Sequence, residues 1–156
     1  MQYQNEDENR MEEIKIKYSS LVPPKGYLAI TLFGTMYINK REKDYWENQC
    51  TSATRKRVIT HESIHMKQAE YEGGYFMFYL KYLAFWIKAM FLCGFKNSIA
   101  YYCIPYEIDA FMHETKSLYN VYGIELIKKI PMKTLVNIKK STTTTAKFIN
   151  AISKLV

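Results

Sequence analysis

Residues 55–72 read RKRVITHESIHMKQAEYE, and this stretch decides the prediction of the fold. It contains no proline or glycine, and its apolar residues recur at helical rather than alternating spacing. Gly73 and Gly74 follow it and are typical of a helix end. We therefore predict a helix over residues 55–72, with Thr54 as its N-terminal cap.

Short strands are predicted before this helix and further helices after it. Gly34 divides the stretch over 26–40, GYLAITLFGTMYINK, into predicted strands at 27–33 and 35–39, which form a hairpin or one bulged strand. This order predicts a helix-dominant α+β fold, with short N-terminal antiparallel strands followed by several packed helices. The further helices are predicted over 75–92, 105–119, 124–138 and 146–156, the last two joined by the tract STTTT.

Length and charge predict one basic domain behind an acidic leader. A chain of 156 residues has the usual size of a single domain, here predicted over 19–156. The leader is predicted to be flexible and to cover residues 1–18. Its first 13 residues hold five acids and one base, a charge of −4, so the rest must carry +11 to reach the net +7. A basic body favours anionic partners such as lipid headgroups, whereas nucleic acid is disfavoured because no nucleic-acid-binding module is recognisable.

The cysteines and the N-terminus bear on the compartment. Cys50, Cys93 and Cys103 are odd in number and contain no C-x-x-C pair, so we expect no disulfide framework and a reducing environment. The first residues are polar and acidic, unlike a secretory signal. The prediction is a cytoplasmic protein, with peripheral membrane association as an extension of it.

The apolar segment over 75–93 admits three interpretations. Its 19 residues are close to the shortest stretch that spans a bilayer. Lys81 and Lys88 lie seven residues apart on one helical face, and a charge near the bilayer centre costs about 2.5–3.5 kcal/mol. We therefore favour a buried or half-buried core helix over an aromatic face resting on an anionic membrane surface, and both over a true span.

Residues 61–65 form the motif H-E-x-x-H. On a helix, His61 and His65 lie on one face, one turn apart, where two imidazoles can hold one tetrahedral Zn²⁺. Glu62 projects beside that position and can take a proton from a water whose pKa zinc lowers to about 7. The competing interpretation is a solvated polar helix with no metal.

A catalytic zinc needs a third protein ligand and an open fourth position. His113 is the one other histidine, and Glu107, Asp109 and Glu114 lie on the same predicted helix. An acid in such an apolar and aromatic helix is costly to bury unless it is paired or bound to a metal. Ala110, on the same face as Glu107, would allow close approach to the first helix.

With HESIH and the later segment PYEIDA at 105–110, the chain resembles the gluzincin zinc metallopeptidases. It is most similar to small bacterial proteins in which a short sheet, an H-E-x-x-H helix, an aromatic helix and a P-[FY]-E-x-[ED]-A helix follow in that order. The similarity covers roughly residues 26–119 and leaves 124–156 as a basic helical extension. The resemblance implies a minimal zincin-like fold, with His61, His65 and Glu107 as zinc ligands and Glu62 as the catalytic base.

One position departs from that family. Many gluzincins have an acid four residues after the glutamate ligand, where this chain has Phe111. Asp109 lies about 200° around the helix from Glu107 and is a poor substitute, whereas Glu114, two turns on, is better placed. The candidates for a group that stabilises the transition state are Tyr101, Tyr102, Tyr106 and His113.

The resemblance also implies a substrate-binding strand edge above the metal, used by β-augmentation. The predicted strand consists of Tyr27, Leu28, Ala29, Ile30, Thr31, Leu32 and Phe33. The function predicted from the sequence is zinc-dependent hydrolysis of peptide bonds in a peptide or protein substrate. The alternative is a non-catalytic zinc-site protein that works as an interaction module at a membrane or in an assembly.

Overall fold

The structure, a computed structural model, describes residues 14–116 and 118–156 of the chain. The chain divides into two compact units, Met1–Met66 and Lys67–Val156. The boundary falls inside one helix, α1 (Ser52–Tyr71), whose last residues belong to the second unit. Residues 1–13 of the predicted leader lie outside the described residues, and the prediction of a single domain over 19–156 stays a prediction.

The first unit contains a three-stranded sheet. The strands are β1 (Lys15–Ser19), β2 (Ala29–Leu32) and β3 (Thr35–Asn39). Their order in the sheet is β1–β3–β2, with β1 parallel and β2 antiparallel to β3. Phe33 and Gly34 connect β2 to β3 with φ angles of 49° and 74°, and two positive φ angles give the turn whose twist matches a hairpin. The predicted hairpin is thus present, whereas β1 lies partly in the predicted leader and was not predicted.

Apolar side chains of β3 and α1 form the core of the first unit. Alternation along β3 places Met36 and Ile38 on one face, where both are fully buried. Val58 and Ile59 of α1 pack against them. The N-terminal cap of α1 is Thr51 rather than the predicted Thr54. Its Oγ1 accepts a hydrogen bond of 3.2 Å from the backbone N–H of Thr54.

The second unit is helical. Its helices are α2 (Tyr75–Cys93), α3 (Asn97–Ala100), α4 (Pro105–His113), α5 (Ile124–Lys129), α6 (Met132–Ser141) and α7 (Thr145–Ile152). The main core cluster joins α2, α4, α6 and α7 around fully buried residues such as Ile108, Leu135 and Phe148. A second cluster packs Ile104, Tyr106 and aromatic residues of α2.

Three predicted helices extend too far or are interrupted, and the last of them, predicted over 146–156, ends at Ile152. The predicted helix over 105–119 ends at His113, and Tyr119 turns back to hydrogen bond with Asp109. Ten residues of continuous helix would separate those two residues by about 15 Å, so the bond requires the helix to end. The predicted helix over 124–138 is two helices, because Pro131 lacks an N–H and forces the preceding residue into an extended conformation.

The predicted fold class is confirmed: the protein is α+β and helix-dominant, with a small N-terminal sheet followed by packed helices. The helix α1 begins three residues before its predicted start. The helix α2 matches its predicted range to within one residue. These two helices and α4 carry the residues of the candidate site.

Candidate metal centre

The first half of the site is the H-E-x-x-H motif, which lies in the middle of α1. His61 is buried, with 7% of its surface exposed, and His65 is half-buried. Their ring centroids are 5.0 Å apart, with an angle of 81° between the ring planes. This is the arrangement that a four-residue spacing produces on one helical face. Both imidazoles can therefore present a nitrogen to one point.

Glu62, between the two histidines, is also buried, at 7% exposure. Its Oε2 is buried and has no hydrogen-bond partner among the described residues. A carboxylate oxygen removed from water without a partner is costly. Such an oxygen is an available proton acceptor in a site that takes up water or a substrate.

The second half of the site is Glu107, in the first turn of α4. Pro105 starts that helix with its ring at the first helical position, where the missing N–H costs nothing. Glu107 is 3% exposed and lies in the first turn, near the positive end of the helix dipole. The hydroxyl of Tyr82 in α2 donates a hydrogen bond of 2.7 Å to its Oε1. A carboxylate has about four acceptor positions, so one hydrogen bond orients the group without using all of them.

The structure brings the three predicted ligands together. One ligand atom from each of His61, His65 and Glu107 can be chosen so that all three lie within 4.8 Å of one another. Nitrogen and oxygen ligands of tetrahedral zinc lie about 3.3 Å apart, so small side-chain rotations would close the set around an ion. Two imidazoles and one carboxylate also suit the chemistry of zinc and leave a fourth position open.

A buried polar network lies beside Glu107, centred on Asp109. The side-chain nitrogen of Gln68 donates to the backbone oxygen of Tyr106 at 3.1 Å and to Oδ2 of Asp109 at 2.8 Å. The hydroxyl of Tyr119 donates to the same Oδ2. Because Gln68 lies on α1 and Tyr106 and Asp109 lie on α4, this network fixes the last turn of α1 against α4.

The other predicted partners lie around this network. His113 Nδ1 is 2.8 Å from the backbone oxygen of Asp109 and 3.3 Å from its Oδ1. The hydrogen bond with the Asp109 side chain raises the pKa of His113 above its ordinary value, against the opposing effect of burial. Glu114 is the half-buried residue that follows α4. Phe111 stacks on the ring of Tyr102, so its position is apolar here.

The hydroxyl of Tyr106 is committed to a different carboxylate. Tyr106 is fully buried, and its hydroxyl donates to Glu72 at 2.7 Å. Lys81 and Lys128 also bond to Glu72. Burial opposes ionisation of Glu72, but the bonds from Lys128, Lys81 and Tyr106 outweigh it and lower the pKa of Glu72 to about 2. Burial, followed by the bond to Glu72, raises the pKa of Tyr106 above its ordinary value.

The predicted substrate strand corresponds to β2. Its regular part is shorter than predicted, because Tyr27 and Leu28 precede the strand and Phe33 belongs to the turn. β2 pairs with β3 on one side, and across residues 14–116 and 118–156 no strand pairs with its other side. β2 is therefore an edge strand of this sheet, the position at which an added peptide strand can pair.

Tyr82 and Gln68 are positioning residues that the sequence did not predict. Tyr82 lies in a helix so rich in aromatic residues that one tyrosine carries no distinguishing signal. Gln68 follows His65 by three residues, so helical geometry places it one turn further along nearly the same face. That spacing was the one available signal. Its partner could not be inferred without the fold.

No family model, curated protein or solved structure matches this chain. The chemistry of the site must therefore be inferred from its own residues. These are two histidines on one helix, a buried glutamate between them, and a buried, hydrogen-bonded glutamate on a second helix.

Proposed function

We propose that the chain is a zinc-dependent hydrolase of the gluzincin type, acting on peptide bonds in a peptide or protein substrate. The observation that carries the proposal is the grouping of His61, His65 and Glu107, of which one ligand atom each lies within 4.8 Å of the other two. A zinc ion held there would polarise a substrate carbonyl and lower the pKa of an attacking water. Two histidines and one glutamate form a ligand set of catalytic zinc sites, which keep their fourth position for water or substrate.

In this proposal Glu62 is the general base. Its buried Oε2 has no hydrogen-bond partner among the described residues, so it is available to accept a proton. Glu62 would take the proton of the attacking water and deliver it to the leaving amine nitrogen. Tyr82 would act through Glu107 by holding its carboxylate in place.

The open edge of β2 supports a peptide as the substrate. An extended peptide can add to the edge strand of a sheet through main-chain hydrogen bonds, whatever its side chains are. Exposed Phe33 stands at the end of this strand. A peptide substrate is therefore favoured over a compact small molecule.

The test compares Glu62→Gln with wild type on a library of quenched fluorescent peptides, with zinc content measured in parallel. The expected result is loss of hydrolysis by at least about 100-fold, the low end for removal of a general base, with zinc retained. Glu70→Gln, an exposed position on the same helix, is the control and should keep full activity. Full hydrolysis by Glu62→Gln would contradict the assigned role.

A second candidate function is a structural zinc site in an interaction protein. The observation that favours it is Phe111, which packs on Tyr102 where many gluzincins have an acid. A chelator distinguishes the two functions by thermal unfolding. A structural site predicts loss of the cooperative transition in the chelated protein, whereas a catalytic site predicts a chelated protein that is inactive but still folded.

A further inference from the structure

One side of α2 exposes a continuous apolar stripe. Its centre consists of Phe76, Leu80, Leu83, Ile87 and Phe91, which are between 41% and 76% exposed. Their spacings of three and four residues place them on one face along the whole helix. Large exposed apolar patches of this kind mark sites that bind another apolar surface.

The opposite side of α2 packs against the other helices of the second unit. Phe78, Ala89 and Cys93 are buried there. Tyr82 bonds to Glu107, and the indole N–H of Trp86 donates to Asn97 at 2.9 Å. Within the described residues, α2 is one helix long and apolar enough to cross a bilayer, with a mean hydropathy of 1.4. Because one side carries these polar and packing contacts, lipid can cover only the other side.

The sequence of α2 and the C-terminal part of the chain are both rich in lysine. Residues 73–106 contain three lysines and no acid, and residues 126–156 contain seven lysines and no acid. Lys88 is exposed at the border of the stripe, where a lysine can extend its ammonium group to the lipid headgroups. Positive charge beside an apolar helix face is the pattern of helices that lie in the plane of an anionic membrane.

A basic groove lies at the C-terminal end of the stripe. The stripe continues from Phe91 to Phe95, whose rings are in contact at 5.1 Å, and Lys96 follows. Lys96 lines a groove of about 620 Å³ together with Lys139, Lys140 and the threonines at 142–145. Three ammonium groups and several hydroxyls, with no carboxylate among the described lining residues, suit a phosphate group. The groove that Lys88 lines contains two glutamates and suits an anion less well.

We propose that the second unit docks peripherally on an anionic phospholipid bilayer. The apolar stripe of α2 enters the interface with the helix in the membrane plane, and the Lys96 groove binds a lipid phosphate. A second copy of the chain is a less suitable occupant, because a symmetric contact would bring the same lysines together. The docking would place the enzyme at a membrane surface and restrict its substrates to proteins found there.

The test is flotation of the full chain with phosphatidylcholine vesicles, with and without phosphatidylglycerol. The expected result is flotation with the anionic vesicles, weakened by high salt. The double variant Phe76→Ser, Phe91→Ser should bind at least about tenfold more weakly, since burial of one such side chain is worth about that factor. The control, Leu126→Ser with Leu155→Ser, changes two exposed apolar residues outside α2 and should bind like wild type.

The role of the groove is tested with the double variant Lys96→Gln, Lys140→Gln, which removes two of its three ammonium groups. The control is the double variant Lys133→Gln, Lys154→Gln, which removes the same charge from exposed positions outside the groove. The first pair should weaken binding to anionic vesicles several-fold more than the second. An equal loss of vesicle binding in both double variants would contradict phosphate binding in the Lys96 groove.

Three further outcomes would overturn the docking itself. The first is absence of flotation of the wild type with anionic vesicles. The second is resistance to extraction by alkaline carbonate, which would mean a membrane span. The third is a dimer in solution that Phe76→Ser with Phe91→Ser abolishes and that binds no vesicles.

Discussion

The hydrogen bond from Tyr82 to Glu107 gives a sharp test of the candidate metal centre. Tyr82→Phe removes one hydroxyl and keeps the aromatic ring, which stacks on Tyr106 at a centroid distance of 6.2 Å. The packing of α2 on α4 should therefore persist. What changes is the support of the Glu107 carboxylate, which loses a donor at 2.7 Å.

The expected effect is a weaker zinc site rather than an unfolded protein. Loss of a partner that orients a metal ligand typically lowers metal affinity about 10–100-fold. This range corresponds to about 1.4–2.7 kcal/mol, close to the value of a hydrogen bond to a charged group. We therefore predict that the zinc dissociation constant of Tyr82→Phe rises by one to two orders of magnitude.

The assay is a competition titration against a chromophoric zinc chelator at fixed pH. Tyr102→Phe is the matched control, because it removes a hydroxyl from a half-buried tyrosine whose ring contacts Phe111 and the ammonium group of Lys139. Its zinc affinity should equal that of the wild type. A dissociation constant for Tyr82→Phe within about twofold of the wild type would refute the role assigned to this bond.

Two further predictions concern stability. Gln68→Leu leaves Asp109 and the backbone oxygen of Tyr106 without this donor, and should lower the free energy of unfolding by roughly 1–3 kcal/mol in urea titrations; an unchanged midpoint would contradict the network. Glu72→Gln should cost a similar amount at neutral pH. Since the folded pKa of Glu72 is lowered from 4.5 to about 2, the difference from wild type should persist above pH 4.5 and shrink as the pH falls toward 2. A difference in unfolding free energy that does not depend on pH over that range would argue against the bonds from Lys128, Lys81 and Tyr106 to Glu72.

Local sequence signals predicted the elements whose causes are local. The turn at Phe33 and Gly34 was recognisable from one glycine within a β-rich stretch. The helix over residues 75–93 was recognisable from an apolar run that ends at Gly94, which adopts the left-handed conformation of a helix cap. In both cases the residues that cause the structure are neighbours in the chain.

Elements that depend on distant partners were not predictable in the same way. The strand β1 gains its hydrogen bonds from β3, about 20 residues later, and its sequence KIKYS is short and rich in lysine. The early end of α4 reflects the return of Tyr119 to Asp109. Pro131 was a local signal for a helix break, and the periodic pattern on both sides of it obscured that signal.

The candidate site shows the same division. The spacing of His61 and His65 follows from helical geometry, whereas Glu107 was selected among the acids of its helix by the resemblance to gluzincins. Tyr82 became recognisable only through the tertiary structure, because the bond that it makes spans 25 residues. The sequence therefore predicted the residues that could bind an ion, but not the residue that positions one of them through a hydrogen bond.

The most direct test of the proposed metal centre is elemental analysis of the purified protein beside its His61→Ala and His113→Ala variants. The proposal predicts one zinc per chain in the wild type and in His113→Ala, and a large loss in His61→Ala. A wild type without stoichiometric zinc, or a His61→Ala variant that keeps its full metal content, would contradict it.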